Sequence, residues 1–423
     1  MKTIGIIAEF NPFHNGHSYL VSEAKRLTKA DFCVVVMSGN FVQRGAPAIL
    51  DKYTRTRMAL LNGVDLVIEL PVVYATASAE YFSRAAVCLL NRLGVVDCLC
   101  FGSECGDVEV LKSAARFLID ENQTFQKELK KNLKSGMSYP KARGKSVDYS
   151  GQSRESVDDN IFNVINQPNN ILGIEYIKAL DLFGSSIEPV TIKRRGIGYH
   201  DEQAESATAI RREVEERVRG GGTNCFDAPG IITTPPAPER SPGWARPSRE
   251  GNLSSLFAMA ESPVLRFLSD FSELLYYKLT LHAETGYSQF FDVSNDLSDK
   301  IKKNLPKYKD YEDFIYMLKS KNFTYMRVSR CLNHVLLDIY GDDIVSYMDN
   351  GYVFYARLLG FNEKAGGLLK AIKNHSTIPL ISKLADADEL LGEIGMKMLR
   401  KDIQAAHIYN RGINEYTAPI VKV

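Results

Sequence analysis

The chain has 423 residues, 45% of them hydrophobic, and a formal net charge of +1 at pH 7. This length and apolar content are typical of two domains with substantial cores, and the charge excludes a global positive field, so any RNA contact must use local basic patches. The seven cysteines lack metal-type spacing, which favours reduced thiols in a cytoplasmic protein. We expect neither a signal peptide before the first strand nor a membrane-spanning run of roughly 18 apolar residues.

The first half of the chain alternates short apolar runs with amphipathic segments. Runs at residues 4–8, 32–37, 66–70, 98–102 and 188–192 predict strands, and segments at residues 18–28, 51–62, 78–93, 108–118 and 170–182 predict helices. Another predicted helix begins near residue 206, where Ser206 or Thr208 can cap it. This alternation predicts an α/β fold, with a Rossmann-like parallel sheet covered by helices on both faces.

The rest of the chain has a different pattern. Residues 223–250 are rich in proline, lack apolar periodicity and hold the single tryptophan, which indicates an exposed linker, either an insertion or a local reading-frame error. Helical patterns then continue to about residue 405, before an extended tail at residues 416–423. We therefore predict an α/β domain at 1–215, a Pro-rich irregular linker at 216–252 and an all-helical domain at 253–423.

Two histidines follow the first predicted strand, where Asn-Pro-Phe-His-Asn-Gly-His occupies residues 11–17. In an open parallel sheet, ligands bind beyond the carboxyl ends of the strands, and the start of a helix offers free N–H groups and a positive dipole end to phosphate. Gly16 would allow the backbone to come close to a ligand because it has no Cβ. His14 and His17 are therefore candidate phosphate donors; the alternatives are capping or surface histidines, or a metal site that the sequence cannot complete.

The His-Asn-Gly-His segment resembles the signature of the nucleotidyltransferase superfamily. Three later stretches narrow the resemblance, namely Met-Ser-Gly-Asn-Phe-Val-Gln-Arg-Gly-Ala-Pro-Ala at 37–48, Gly-Val-Asp-Leu-Val-Ile-Glu-Leu-Pro at 63–71 and Phe-Gly-Ser-Glu at 101–104. Together with the first motif, and in the same order, they are similar to the bacterial tRNA(Met) cytidine acetate ligase family. The likeness covers nearly the whole chain and is weakest between about residues 215 and 251.

The resemblance implies a nucleotidyltransferase-like, ATP-binding first domain in which His14 and His17 are catalytic. Thr208 and Arg211 resemble the second phosphate-binding motif of the superfamily, although an ordinary capped helix would show the same pattern. An asparagine and an arginine that bind ATP are expected at Asn169 and Arg194, with Asn170 and Arg195 as one-place alternatives. The implied ATP site comprises Ile7, Ala8, Glu9, Phe10, Asn11, Pro12, Phe13, His14, Asn15, Gly16, His17, Ser18, Tyr19, Leu20, Gly102, Asn169, Arg194, Thr208 and Arg211.

Two other basic regions are candidates for anion binding. The glycine-containing loop at residues 38–45 and the following Lys52, Arg55 and Arg57 could bind a small anion or the ATP phosphates, or the three cations could form a solvated helix face. In the second half, basic and aromatic residues alternate between residues 319 and 330, a mixture that can grip phosphates and stack unpaired bases. Lys321, Arg327 and Arg330 are the predicted tRNA contacts, and a charged helix face is the alternative.

The favoured function is an ATP-dependent acetate ligase acting on the wobble cytidine of elongator tRNA(Met). By resemblance, acetate and ATP give acetyl-AMP and pyrophosphate, and the exocyclic amine of the cytidine then takes the acetyl group. A polyphosphate substrate makes Mg²⁺ plausible, without a protein ligand that the sequence identifies. The alternatives are a metabolic adenylyltransferase acting on a small phosphorylated substrate, or an RNA-binding module with a vestigial nucleotide site. The sequence leaves the oligomeric state open.

Overall fold

The structure is a computed structural model. It describes residues 1–119, 127–129, 131–132, 142, 146, 164–194, 207–219, 265–410 and 414–423, with the side chains of residues 217–219 excepted. The predicted Pro-rich stretch at residues 223–250 lies outside the described residues, and so do Arg195 and Ser206.

Eight strands form the main sheet, in the order β10-β8-β5-β2-β1-β6-β7, with β9 paired to β8. The strands from the first half of the chain are β1 (Thr3–Ala8), β2 (Phe32–Ser38), β5 (Leu66–Leu70), β6 (Cys98–Ser103) and β7 (Glu188–Lys193). The second half supplies β8 (Ala356–Phe361), β9 (Leu380–Ile381) and β10 (Val421–Lys422). Two short strands, β3 (Phe41–Val42) and β4 (Ala46–Pro47), form a separate antiparallel pair in the loop after β2.

Helices cover the sheet and make up most of the second half. Those described in the first half are α1 (Asn15–Thr28), α2 (Lys52–Leu61), α3 (Val72–Ala75), α4 (Ala79–Leu93), α5 (Val108–Ile119), α6 (Pro168–Leu182) and α7 (Ala207–Arg219). Those described in the second half are α8 (Ser272–Leu281), α9 (Asn295–Asn304), α10 (Tyr311–Leu318), α11 (Tyr325–Leu336), α12 (Gly341–Asp349), α13 (Gly366–His375), α14 (Ala387–Leu390) and α15 (Glu393–Tyr409).

The parallel part of the sheet has a topological switch point between β1 and β6. From β1 the chain moves outward to β2 and β5, and it then returns to pair β6 with the other side of β1. Apolar side chains fill both faces: one core contains Ile4, Ile6 and Met58, and the other contains Leu90, Phe101 and many residues of the second half. Ligands bind such sheets in the crevice at the switch point, so the segments after β1 and β6 are expected to border a ligand-binding site.

The predicted fold class is confirmed: a sheet with mainly parallel strands precedes a mainly helical second half. The second half also contributes β8 and β9, where the all-helical prediction is wrong, and β10, which lies in the predicted extended tail at residues 416–423. β8 pairs antiparallel with β5, placing Leu358 opposite Ile68. The segment at residues 356–361, apolar except for Arg357, is buried almost throughout, and periodicity cannot separate so short a buried strand from a helix. The domain boundaries at 215 and 252 remain predictions, and α7 continues to Arg219.

The six described cysteines are free thiols, and all of them except Cys105 are buried. Among the helices in the described ranges, none combines the length and the apolar character that crossing a membrane requires.

Candidate functional site

The His-Asn-Gly-His turn forms the start of α1, directly beyond the carboxyl end of β1. His14 is the N-cap residue, and its Nδ1 accepts a hydrogen bond from the Gly16 N–H at 3.0 Å. The Nδ1 of His17 accepts from the His14 N–H at 3.3 Å, which completes a reciprocal capping box. The two rings lie side by side, with centroids 3.8 Å apart. Both histidines therefore cap the helix that starts at the crevice beyond β1.

Both histidine rings are neutral in the free protein. Burial, followed by the nearby cations Arg194 and Arg211, lowers the pKa of His14 to about 4. Burial, with His14 and Arg194, lowers the pKa of His17 well below its usual value. Because each Nδ1 accepts a backbone N–H, the single ring proton belongs on Nε2. The turn thus offers two adjacent Nε2–H donors at the positive end of a helix, a suitable arrangement for phosphate oxygens.

Packing holds this turn in place. Phe10 and Phe13 are fully buried, and their rings lie 4.8 Å apart between centroids, with the His17 ring at 4.9 Å and 5.5 Å from them. A Cβ on Gly16 would come within 2.9 Å of the His14 ring. The absence of a side chain at Gly16 therefore leaves space for the His14 ring. The sequence analysis had instead predicted that Gly16 lets the backbone come close to a ligand.

The predicted second phosphate motif lies beside the first. Arg211, near the start of α7, donates from Nη1 to the Asn11 carbonyl at 2.7 Å and from Nη2 to the Thr208 hydroxyl at 3.0 Å. Arg44, from the loop after β2, donates to the same hydroxyl at 3.2 Å. Burial and then Arg44 lower the pKa of Arg211 to about 10, so it remains a cation at neutral pH. Residues far apart in sequence therefore place two guanidinium groups next to the His14 turn. Arg44 belongs to the loop at residues 38–45, which the sequence analysis proposed for anion binding.

The segments after β6 and β7 complete the other side of the crevice. Arg194 donates to Asn169 Oδ1 at 3.2 Å, and the side chain of Arg194 passes over Gly102. Asn170 is fully buried, with its Oδ1 accepting from the backbone N–H groups of Glu104 and Cys105. Asn170 is thus a structural residue, and Asn169 is the one that faces Arg194.

Glu104 sets the position of this asparagine pair. Its Oε1 accepts from the Asn169 side chain at 2.6 Å and its Oε2 from the Asn170 N–H at 2.8 Å. The sequence analysis quoted Glu104 within a family motif without assigning it a role. Glu104 and Asn169 are 65 residues apart in sequence, so no local pattern links them and only the fold brings them together.

Two of the three basic residues of α2 are not available to a ligand. Lys52 and Arg55 are fully buried, and only Arg57 is exposed. Arg55 donates to four backbone carbonyls, those of Leu50, Glu9, Ser38 and Gly39. The predicted solvated helix face is therefore wrong for Lys52 and Arg55, and their donors are also occupied by protein rather than free for an anion.

Lys52 belongs to a buried charge cluster that ties the second half to the sheet. Its Nζ lies 2.9 Å from Glu69 and 3.0 Å from Glu415, and Arg357 of β8 pairs with the same two carboxylates at 3.1 Å and 2.7 Å. Two cations thus balance two carboxylates, which buried charges require. This cluster also supports the loop after β2, since Glu69 lies directly beside Gly39 and the Lys52 N–H donates to Asn40 Oδ1 at 2.9 Å.

A cleft of about 500 Å³ opens between α1 and β7. Tyr19 and Arg194, both predicted for the ATP site, line it together with Glu23, Leu27, Thr191, Ile192 and Lys193. Of the other predicted residues, Ile7, Ala8, Ser18 and Leu20 are half-buried, Pro12 is buried and Asn15 is exposed. The first-motif residues therefore differ in how far a ligand could reach them.

The predicted tRNA patch divides into exposed and packed residues. Lys321 is exposed; Arg327 pairs with Asp292 at 3.2 Å and lies over the Phe323 ring. Arg330 belongs to the part of α11 that packs against Gly45, and burial lowers its pKa. Arg330 therefore supports the loop after β2, contrary to a role as an exposed phosphate contact.

No group of three or more His, Cys, Asp or Glu residues in the described parts of the chain is arranged to hold a metal ion.

Comparison with known proteins places this site in a family. The family model of the HIGH nucleotidyl transferases matches residues 1–419. The tRNA(Met) cytidine acetate ligase of Thermoanaerobacter sp. (strain X514) is 41% identical over 97% of this chain and 95% of its own length, and that of Halothermothrix orenii is 37% identical over the whole of both. Two solved structures of Thermotoga maritima TmcAL, both aligned over the full length of both chains, share the fold. The form bound with alpha-thio ATP has a TM-score of 0.84 at 29% identity, and the apo form 0.86 at 28%.

These similarities extend over the whole length of the chain and include the segments that form the crevice. The chain belongs to the HIGH nucleotidyl transferases and, within them, to the tRNA(Met) cytidine acetate ligase family.

Proposed function

We propose that this protein is an ATP-dependent ligase that acetylates the wobble cytidine of elongator tRNA(Met) at N4, through an acetyl-AMP intermediate. The names of its relatives support the substrates, and the alpha-thio ATP bound by the Thermotoga maritima protein supports the nucleotide. The alternative, a metabolic adenylyltransferase, would share the first chemical step. The whole-length similarity to ligases, including the helical half, favours the tRNA-modifying function.

The observation that carries this proposal is the pair of neutral histidines with Nε2–H groups directed away from their caps. In the first step the acetate carboxylate attacks the α-phosphorus of ATP, and pyrophosphate leaves. Attack of one anion on another builds negative charge on the phosphate oxygens, so preorganised donors must neutralise it. His14 and His17 supply two such donors, and the start of α1 adds its dipole.

Two arginines would supply the formal positive charge. Arg211 is held beside the turn by Asn11 and Thr208, and Arg194 approaches from the opposite side with Asn169. Both cations lower the pKa of His14, which places their charges close to its ring. We assign ATP phosphates to the space between these four side chains, and the nucleoside to the side of Gly102 and Asn169.

The tRNA contact is proposed for the exposed part of the 319–330 region. Tyr316 of α10, just before this region, is 57% exposed, and its ring lies 5.2 Å from that of Tyr325. Lys321, between the two tyrosines in sequence, is also exposed. Exposed aromatic rings beside a cation are suited to unpaired bases and their phosphates. Glu215 of α7 contributes to the raised pKa of Tyr325, so this surface borders the helix that starts at the phosphate site.

Magnesium remains a proposal for this chain. The described residues offer no cluster that would bind it; if Mg²⁺ accompanies ATP, the phosphates themselves would be its main ligands.

The test is release of pyrophosphate from ATP, with acetate present or absent and tRNA(Met) present or absent. We expect release to require acetate and to become catalytic in the presence of tRNA, with N4-acetylcytidine and AMP as products. Release that requires a small phosphorylated substrate, and no acetylated tRNA, would support the adenylyltransferase instead.

A further inference from the structure

The second step of the proposed reaction needs a proton acceptor. The exocyclic amine of cytidine is a weak nucleophile, because its lone pair is delocalised into the ring, and it must lose a proton as it becomes an amide. A positioned general base is worth roughly 10²–10⁴-fold in rate. The histidines cannot serve in the state described above, because each Nδ1 is occupied by a backbone N–H and each Nε2 carries a proton.

Among the described residues, three glutamates lie at the carboxyl ends of the central parallel strands: Glu9 after β1, Glu69 in β5 and Glu104 after β6. Glu69 is buried between Lys52 and Arg357. Both oxygens of Glu104 accept from the asparagine pair at the start of α6. These two carboxylates are therefore committed to holding the fold.

Glu9 differs from them in having acceptor capacity to spare. Its Oε1 accepts from the Gln43 N–H at 2.9 Å, the one hydrogen bond to this carboxylate that the described residues make, and the side chain is half-exposed. Its backbone carbonyl accepts from Arg55 Nη1 at 2.6 Å. Both the backbone and the carboxylate of Glu9 are thus fixed, while Oε2 remains open.

The surroundings of Glu9 place it next to the phosphate site. Two residues farther on, Asn11 holds Arg211, and the charge of Glu9 acts on that guanidinium. On the other side, Glu9 acts on the buried Tyr176 of α6, the helix that carries Asn169. Glu9 therefore lies close to both segments that border the crevice, the Asn11–Arg211 pair and α6.

We propose that Glu9 accepts a hydrogen bond from the cytidine N4 amine and takes its proton during acetyl transfer; this inference rests on the proposed function. The nitrogen lone pair forms the new bond to the acetyl carbon. The bond between that carbon and the phosphate oxygen breaks, and AMP leaves with the electron pair. One amine proton goes to the Glu9 carboxylate. A carboxylate accepting from N4 is also the usual way for a side chain to recognise cytosine.

The experiment separates the two steps of the reaction. Wild type, Glu9→Gln and Glu9→Asp are compared in acetate-dependent ATP–pyrophosphate exchange and in single-turnover transfer from preformed acetyl-AMP to tRNA(Met). Glu109→Gln is the matched control, since Glu109 is exposed on α5 and pairs with Lys112. Gln keeps an oxygen for the Gln43 N–H, so any loss of exchange should be much smaller than the loss of transfer. Transfer should fall by about 10²-fold or more and should recover partly as hydroxide replaces the base at higher pH.

Three results would overturn the inference. Wild-type transfer by Glu9→Gln would mean that the departing AMP phosphate takes the proton. Equal loss of exchange and transfer, at an unchanged melting temperature, would place Glu9 in the first step. If Glu9→Gln has a lowered melting temperature, Glu9→Asp provides the test, because Asp retains a carboxylate base. Transfer by Glu9→Asp no faster than by Glu9→Gln, at equal exchange rates, would be the third contrary result. Failure of the wild type to acetylate tRNA would refute the proposed function instead.

Discussion

The turn that begins α1 and the first turn of α2 follow neighbouring parallel strands, and both carry side chains typical of anion sites. In α1 the Nδ1 atoms of His14 and His17 accept the backbone N–H groups of the cap, so the Nε2–H groups take no part in capping. In α2 the ammonium of Lys52 and the guanidinium of Arg55 are buried, and they donate their hydrogen bonds to carboxylates and carbonyls of the protein. Both turns carry nitrogen donors that could bind an anion. Whether a turn can bind a ligand depends on whether its N–H groups are already bonded to the protein.

The comparison also shows how the two turns depend on each other. Arg55 binds the carbonyl of Glu9, which directly precedes the His14 loop, and the carbonyls of Ser38 and Gly39 after β2. The first turn of α2, whose donors are all bound to protein, therefore holds the His14 turn of α1 in position. Substitutions in the α2 turn should act on stability, and substitutions in the α1 turn should act on catalysis.

The largest effect is expected from Arg55→Met. The change leaves buried carbonyls without donors, and the free energy of unfolding should fall by about 3 to 5 kcal/mol. Arg57→Met on the same helix is the control: Arg57 is exposed, so its loss should cost less than about 0.5 kcal/mol. Urea unfolding measures both. Equal stability of the two variants would show that the buried guanidinium contributes nothing to the fold.

The neutral histidines should make stability depend on pH. The pKa of His14 is about 4 in the folded protein and 6.5 for the ordinary side chain, so the unfolded chain binds more protons between these values. Stability from His14 is complete above pH 6.5 and is lost as the pH falls toward 4, by about 3 kcal/mol. His17 acts in the same direction.

Carboxylates titrate in the same range, so the measurement is a difference between proteins. Unfolding free energies at several pH values are compared for wild type, His14→Gln and His407→Gln, the last being exposed on α15. The His14 variant should lose less stability on acidification than the other two. Parallel curves for all three would contradict the neutral, buried state of His14.

Removing one Nε2–H donor should slow adenylation while the fold persists. His14→Asn keeps a capping side chain at the start of α1, which His14→Ala would lose. We expect His14→Asn and His17→Ala each to reduce acetate-dependent ATP–pyrophosphate exchange by on the order of 10²-fold, the usual cost of one donor to a developing oxyanion. Wild-type exchange in a folded variant would exclude that histidine from the reaction.

Much of the fold could be predicted because the first-half strands are apolar and separated by amphipathic helices. β5 was predicted at its observed bounds, and β1, β2, β6 and β7 to within one residue at each end. The missed β8 is short and buried, so it shows no alternation of polar and apolar residues, and it pairs with a strand almost 300 residues earlier. Pairing at such a distance has no local signature.

The candidate site was predictable where a motif is continuous in sequence. The His14 turn carries its own capping pattern, and Thr208 lies three residues before Arg211. The roles of Glu104, Arg44 and Arg55 depend on partners from other elements, which no local pattern shows. For the same reason Lys321 and Arg330 are equally good predicted RNA contacts from sequence alone, although the fold exposes Lys321 and packs Arg330 against the loop after β2.

The smallest effect is expected from the exposed Lys321, which is compared with the packed Arg330. Lys321→Glu should weaken tRNA binding and reduce its salt dependence, because fewer counterions are released, without changing the melting temperature. Arg330→Glu should instead lower the melting temperature and both activities together, because it puts a carboxylate where α11 packs on the loop that contains Gly45.

The two variants are compared by tRNA affinity at two salt concentrations, acetyl-AMP formation and a melting curve. A surface contact and a packing residue differ most clearly in acetyl-AMP formation, which needs no tRNA: Lys321→Glu should form it at the wild-type rate, since the phosphate site lies in the first half. Unchanged affinity and salt slope in a folded Lys321→Glu protein would remove Lys321 from the RNA surface. A stable Arg330→Glu protein that loses only tRNA affinity would restore Arg330 to that surface. Arg330 could then reach RNA only if the loop after β2, on which α11 packs, moves away from it.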